Sequence, residues 1–79
     1  MRIRAEYFGA LRAKLARESD WLDLAPGSTA LDLGRAATAS MGRDWLPALR
    51  FAVNDVMAPP DAALADGDRV ALLPPMSGG

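Results

Sequence analysis

The chain has 79 residues, one small domain's worth, and a chain of that size buries only about 60–65% of its unfolded surface. It contains neither cysteine nor histidine, which excludes a disulfide framework, a Ser-His-Asp or Cys-His nucleophile system and an ordinary zinc site. Nine basic against ten acidic side chains leave a net charge of −1, not the basic balance of a nucleic-acid-binding domain, and an apolar share of 51% suits a folded chain rather than a disordered one.

Arg2, Arg4 and Glu6 alternate with Ile3, Ala5 and Tyr7, the period-2 pattern of a strand, with Phe8 on the polar side. Gly9 breaks it. Leu11 and Leu15 then stand four apart among good helix formers, predicting a short helix over 10–17. Residues 20–24 read as a second strand in which Trp21, Leu22 and Leu24 alternate only loosely. Ala25, Pro26, Gly27 and Ser28 end it as a turn. Ser28 or Thr29 can cap the next helix, and Asp32 falls in its first turn, where the helix dipole favours a carboxylate. Ala30, Leu33, Ala37 and Met41 form an apolar stripe at helical spacing, Leu31 lies beside it, and Gly42 is suited to the C-terminal cap. Gly34 inside that helix costs about 1 kcal/mol against alanine, which a close approach of helix to sheet would explain.

A connector with Trp45 and Pro47 follows. Residues 50–53 read as a buried strand, Asn54-Asp55 as a tight turn and Val56-Met57 as a returning strand. Pro59-Pro60 opens a loop containing Leu64, and Asp66-Gly67-Asp68 is a turn that launches the last strand, 69–73. The order predicts an α+β fold, a β-grasp (ubiquitin-like) roll: a mixed sheet with one long helix packed across it, its stripe set against Ile3, Phe51, Val53, Val70 and Leu72. Residues 1–73 form the expected domain and 74–79 an extended tail.

No apolar stretch approaches the roughly 20 residues of a membrane span, and the N-terminus alternates charge where a signal peptide would have an apolar core; a cytoplasmic protein is expected. Arg2, Arg4, Arg12, Lys14 and Arg17 crowd the beginning of the chain. With Glu6 and Glu18 nearby they read first as a solvated face, and second as a docking patch for an acidic partner.

Asp66 and Asp68 resemble a carboxylate pair but occupy a turn, and no glycine-rich phosphate motif occurs. What remains is the end of the sequence, Pro74-Pro75-Met76-Ser77-Gly78-Gly79. A terminal carboxylate is ionised and inert at neutral pH until it is activated, most simply by adenylation with ATP. Glycine has no Cβ to obstruct entry into a narrow channel. The two prolines end the sheet ladder and send the chain out extended, and six residues reach about 20 Å.

The sequence resembles the small subunit of molybdopterin synthase (MoaD family), a ubiquitin-like sulfur carrier. The resemblance runs through Tyr7-Phe8-Gly9-Ala10-Leu11-Arg12, Phe51-Ala52-Val53-Asn54, residues 64–71 and the closing Pro-Pro-x-Ser-Gly-Gly, the most specific of these. It implies a sulfur-donating subunit without catalytic side chains of its own and with no bound cofactor or metal. A MoeB-like enzyme would use ATP to adenylate Gly79, and a persulfide source would convert it to a thiocarboxylate. The tail would then donate sulfur to cyclic pyranopterin monophosphate inside a MoaE-like large subunit, in a heterotetramer. Gly79 would carry the sulfur, and Gly78, Ser77, Pro75 and Pro74 would form the passage. Phe8, Met57 and Leu73 fall where the family places apolar contacts to partners, with core packing as the competing role. Met76 and Leu72-Leu73 depart conservatively from the family pattern. Two rivals share the terminal Gly-Gly. One is the sulfur carrier of thiazole synthesis (ThiS), a family that tends to be shorter and to lack the Phe-Gly-Ala-Leu-Arg segment and the Pro-Pro spacer. The other is a ubiquitin-like modifier that joins Gly79 to lysines.

Overall fold

The computed structural model describes residues 1–41 and 44–75. Its elements are β1 (Arg2–Tyr7), α1 (Gly9–Leu15), β2 (Ser19–Asp23), α2 (Ala30–Ala37), a 3₁₀ turn (Leu46–Ala48), β3 (Arg50–Val53), β4 (Val56–Ala58) and β5 (Arg69–Leu73). The five strands form one sheet in the order β2-β1-β5-β3-β4. β1 and β5 run parallel and every other pairing is antiparallel. A mixed sheet with a helix across one face is the β-grasp arrangement predicted from the element order.

Alternation along the strands decides which face is covered. Ile3, Ala5 and Tyr7 of β1, Phe51 of β3, and Val70 and Leu72 of β5 point inward and are buried with Ala30, Leu33 and Ala37 of α2 and Leu11 of α1. Trp45, Leu49 and Leu64 close the core from the connections, while Val53 and Met41 pack against it half-buried. The other face stays open. Arg4, Glu6, Ala71, Leu73, Ala52 and Met57 stand on it, since residues directly opposite in register share a face.

α2 begins where the sequence indicates. Thr29 accepts a hydrogen bond from the Asp32 amide at 3.2 Å, and the Asp32 carboxylate accepts one from the Thr29 amide at 2.9 Å, a reciprocal capping box. The next free amides find partners in the 59–68 loop: Ala30 donates to the Ala62 carbonyl at 3.0 Å and Leu31 to that of Pro60 at 2.8 Å. The expected long helix is corrected to one of eight residues. Thr38 turns its hydroxyl back onto the Gly34 carbonyl at 2.9 Å, and the chain proceeds in turns through residue 40, a local competition typical of threonine inside a helix. The expected cap at Gly42 lies outside the described residues. Gly34 has the close approach its position implied. A Cβ there would stand 3.0 Å from Phe51 Cε1 and 3.1 Å from Leu46 Cδ2.

The carboxylates of the 66–68 turn are used structurally. Asp66 accepts from the Arg2 amide at 2.6 Å, and Asp68 from the Ala65 amide at 2.8 Å and the Asn54 side chain at 3.0 Å. Asn54 and Asp55, with φ of 50° and 70°, make the left-handed pair that a two-residue hairpin requires.

Candidate functional site: a groove at the tail exit

β1 and β5 run side by side in the same direction, so Phe8 and Pro74 leave the sheet at the same end. β3 starts there and β4 finishes there, because both pairings are antiparallel. Four segments distant in sequence therefore surround one depression, and among their lining residues are Phe8, Gly9, Leu49, Arg50, Met57, Leu73, Pro74 and Pro75.

Each predicted contact residue has a clear position. Phe8 follows β1 in an extended conformation as the residue just before α1 and is 43% exposed. Met57 is 57% exposed on β4. Neither serves the core. Leu73 is half-buried on the open face, opposite Arg50, while its neighbour Leu72 takes the core position. Pro74 and Pro75 continue from β5 along the same groove. Five residues singled out in the sequence thus meet in one place. Met76, Ser77, Gly78 and Gly79 lie outside the described residues.

Gly9 is a member of the site that sequence reasoning read only as a strand breaker. Its φ is +55°, and a Cβ built on it would stand 3.3 Å from Pro74 Cγ. The first proline of the tail is thus seated directly on the β1–α1 junction. A glycine squeezed between an aromatic residue and a helix was the available signal, but its partner lies 65 positions away (74 − 9). Arg50 and the walls from Pro47 and Pro60 were also missed, since a strand's first residue and loop prolines have no local mark of a site.

Arg50 is the only charged residue in the described lining. Among the described lining residues no side chain carries a carboxylate, hydroxyl or amine, and what the groove presents is an apolar surface. The displaced ionisations lie elsewhere and serve the fold. The Tyr7 phenol donates to Asp20 at 2.8 Å, and burial, then that bond, push its pKa up. Burial also pushes Asp20 up, but the hydrogen bonds from Arg17 and Tyr7 outweigh it and hold the carboxyl below its usual range. The basic cluster at the start of the chain is largely the solvated face first expected, with Arg4 near Glu6 at 3.7 Å, Arg17 on Asp20 at 2.5 Å and Arg12 on Glu18.

A family model described as the ThiS family matches residues 5–79. The chain belongs to the ThiS family. The thiazole-synthesis carrier shares this name, and membership makes the chain a ubiquitin-like sulfur carrier of the ThiS and MoaD kind without choosing between the two. Similar solved structures extend over the whole fold. Subunit 1 in a complex of subunits 1 and 2 of the molybdopterin-converting factor from Helicobacter pylori matches at 26% identity and TM-score 0.69, covering 100% of both chains. SAMP1 from Haloferax volcanii matches at 22% identity and TM-score 0.79, again with 100% of both covered. Urm1 from Trypanosoma brucei matches at 22% identity and TM-score 0.70, over 99% of this chain and 95% of that one. The β-grasp, ubiquitin-like fold of the family member is therefore established, and it is shared with proteins of more than one name. No helix among the described residues is long and apolar enough to cross a membrane.

Proposed function

We propose that this ThiS-family chain is the sulfur-carrying small subunit of a molybdopterin synthase. The observation that supports it most is the groove. Phe8, Met57 and Leu73 surround the point where Pro74-Pro75 leaves the sheet, so a partner that grips the apolar wall also receives the tail. The likeness to subunit 1 of the Helicobacter pylori complex, at 26% identity over the full chain, points the same way, as does the Pro-Pro-x-Ser-Gly-Gly ending.

In this reading the groove docks first on a MoeB-like adenylating enzyme in the cytoplasm. ATP converts the Gly79 carboxylate to an acyl-adenylate with release of pyrophosphate; a persulfide displaces AMP to form an acyl disulfide, and a thiol then cleaves its S–S bond, leaving the thiocarboxylate and carrying off the donor sulfur as a disulfide. The same wall then docks on a MoaE-like large subunit, in a heterotetramer, and the tail delivers sulfur to cyclic pyranopterin monophosphate. Pro74, seated on Gly9, and Pro75 set the direction in which the tail leaves β5, while Ser77 and Gly78 pass through the partner's channel. The chain contributes reach and docking, and its partners contribute the catalytic groups.

The acceptor tests this. Thiocarboxylated chain mixed with a molybdopterin synthase large subunit and cyclic pyranopterin monophosphate is expected to yield molybdopterin. Sulfur that passes only to a thiazole synthase would favour the thiazole carrier, and attachment of Gly79 to protein lysines without sulfur transfer would favour the modifier. Either result would displace the reading.

A further inference from the structure

The described arginines find partners within the chain, with one exception. Arg12 is held by Glu18, Arg17 by Asp20, Arg35 by Asp32 and Arg69 by Asp55. Arg4 lies near Glu6 and packs, like Arg2, over the Trp21 ring. Arg50 has neither kind of partner. Among the described residues no carboxylate, carbonyl or ring meets its guanidinium, and the residue is exposed.

Its position gives that exception a consequence. Arg50 opens β3 opposite Leu73, the last residue of β5, and lines the groove with Phe8, Met57, Pro74 and Pro75. A partner that covers the groove takes the guanidinium out of water. Arginine does not shed its charge, and a cation buried without a counter-charge is costly. The described part of the chain offers no group to neutralise it, so the covering surface has to supply one. The five donors of the planar guanidinium match a carboxylate in two parallel hydrogen bonds. Cross-strand neighbours lie about 5 Å apart, which puts such a pair beside Leu73, at the root of the tail.

We propose that Arg50 selects the partner through a carboxylate: the surface that covers the groove is apolar and carries one aspartate or glutamate set against this guanidinium. The inference rests on the docking proposed above and adds the chemistry of the occupant. Apolar contact by itself has no direction. The ion pair fixes how the partner is turned on the groove, and an apolar surface without the acid is rejected because it leaves a charge buried and unpaired. Any protein that uses this groove, the adenylating enzyme as well as the large subunit, meets the same requirement.

The test is calorimetric titration of the full chain into a MoaE-like large subunit, comparing the parent with Arg50→Met and Arg50→Glu. Methionine keeps an apolar stem and removes the charge, whereas glutamate sets a like charge against the acid. Docking should weaken about tenfold or more in Arg50→Met and further in Arg50→Glu. Circular dichroism should not change, because the side chain is exposed. Carbodiimide labelling of the large subunit should find one aspartate or glutamate protected by the parent chain and open to reagent with Arg50→Met. Converting that acid to its amide should cost little more in the Arg50→Met background. The proposal is overturned if Arg50→Met docks as tightly as the parent while Phe8→Glu docks weakly, or if no acid of the large subunit is protected. Protection of the Gly79 carboxylate in the free parent but not in Arg50→Met would also overturn it, by giving Arg50 to the chain's own end. A parent chain that does not dock at all removes the small-subunit reading itself, and this proposal with it.

Discussion

Gly34 and Tyr7 carry more of the fold than their sizes suggest. A Cβ at residue 34 would meet Phe51 at 3.0 Å and 3.2 Å and Leu46 at 3.1 Å, and the Phe51 ring is itself fully buried. Alanine's gain of about 1 kcal/mol in helix propensity is set against an overpacking cost of about 1–3 kcal/mol. Gly34→Ala is therefore expected to destabilise the chain by about 1 kcal/mol in urea titration; a stabilised variant would show that the ring yields freely. Tyr7, the only tyrosine, has its pKa raised by burial and by Asp20. A group whose folded pKa lies above its unfolded value contributes stability that is complete below the unfolded pKa, about 10, and is lost as pH rises beyond it. The denaturation midpoint should fall more steeply above that pH in the parent than in Tyr7→Phe. Tyrosinate absorbance rising at the ordinary pH in the folded chain would contradict this. Both residues illustrate what single positions reveal: the sequence marks Gly34 as out of place in a helix and Tyr7 as inward-facing, but the ring against the glycine and the carboxylate on the phenol come from strands that only the fold brings near.

At the scale of elements, α2 is held by its start. Thr29→Ala removes the hydroxyl that satisfies the Asp32 amide and should cost about 1 kcal/mol, measured by chemical denaturation. Asp32 is held below the usual carboxylate range by the Thr29 amide and then by its hydroxyl. Such a group contributes stability above its unfolded pKa that disappears as pH falls through the folded one. The acid limb of the stability profile should therefore flatten in Asp32→Asn, and identical limbs would count against the capping box. This cap was legible because it is local: a threonine and an aspartate three apart. The helix's end was not. The stripe from Ala30 to Met41 keeps helical spacing, yet Thr38 binds back to Gly34 and Met41 packs half-buried from a turn. Strand positions were legible from alternation, whereas the bonds from α2's first amides to the 59–68 loop join parts of the chain that share no local pattern.

For the whole molecule, the central feature is a sheet with one covered face and one open face, whose open face meets an apolar groove at the tail. Pairing Phe8→Glu with Met57→Glu puts charge on two exposed walls of that groove and should weaken docking on a large subunit by about 2 kcal/mol or more, read by calorimetric titration. Both positions lie outside the core, so the thermal midpoint should hold. Undiminished docking would move the interface elsewhere. The tail motif was readable from sequence because it is contiguous. The groove was readable only through the resemblance that singled out Phe8, Met57 and Leu73, since β1, β3, β4 and β5 assemble it from four separate stretches.

The most direct measurement is the intact mass of the full chain after incubation with ATP, a MoeB-like enzyme and a persulfide donor. The sulfur-carrier account predicts a gain equal to the exchange of one oxygen for sulfur, localised by fragmentation to Gly79. An unchanged mass with an enzyme that demonstrably charges another family member would contradict it.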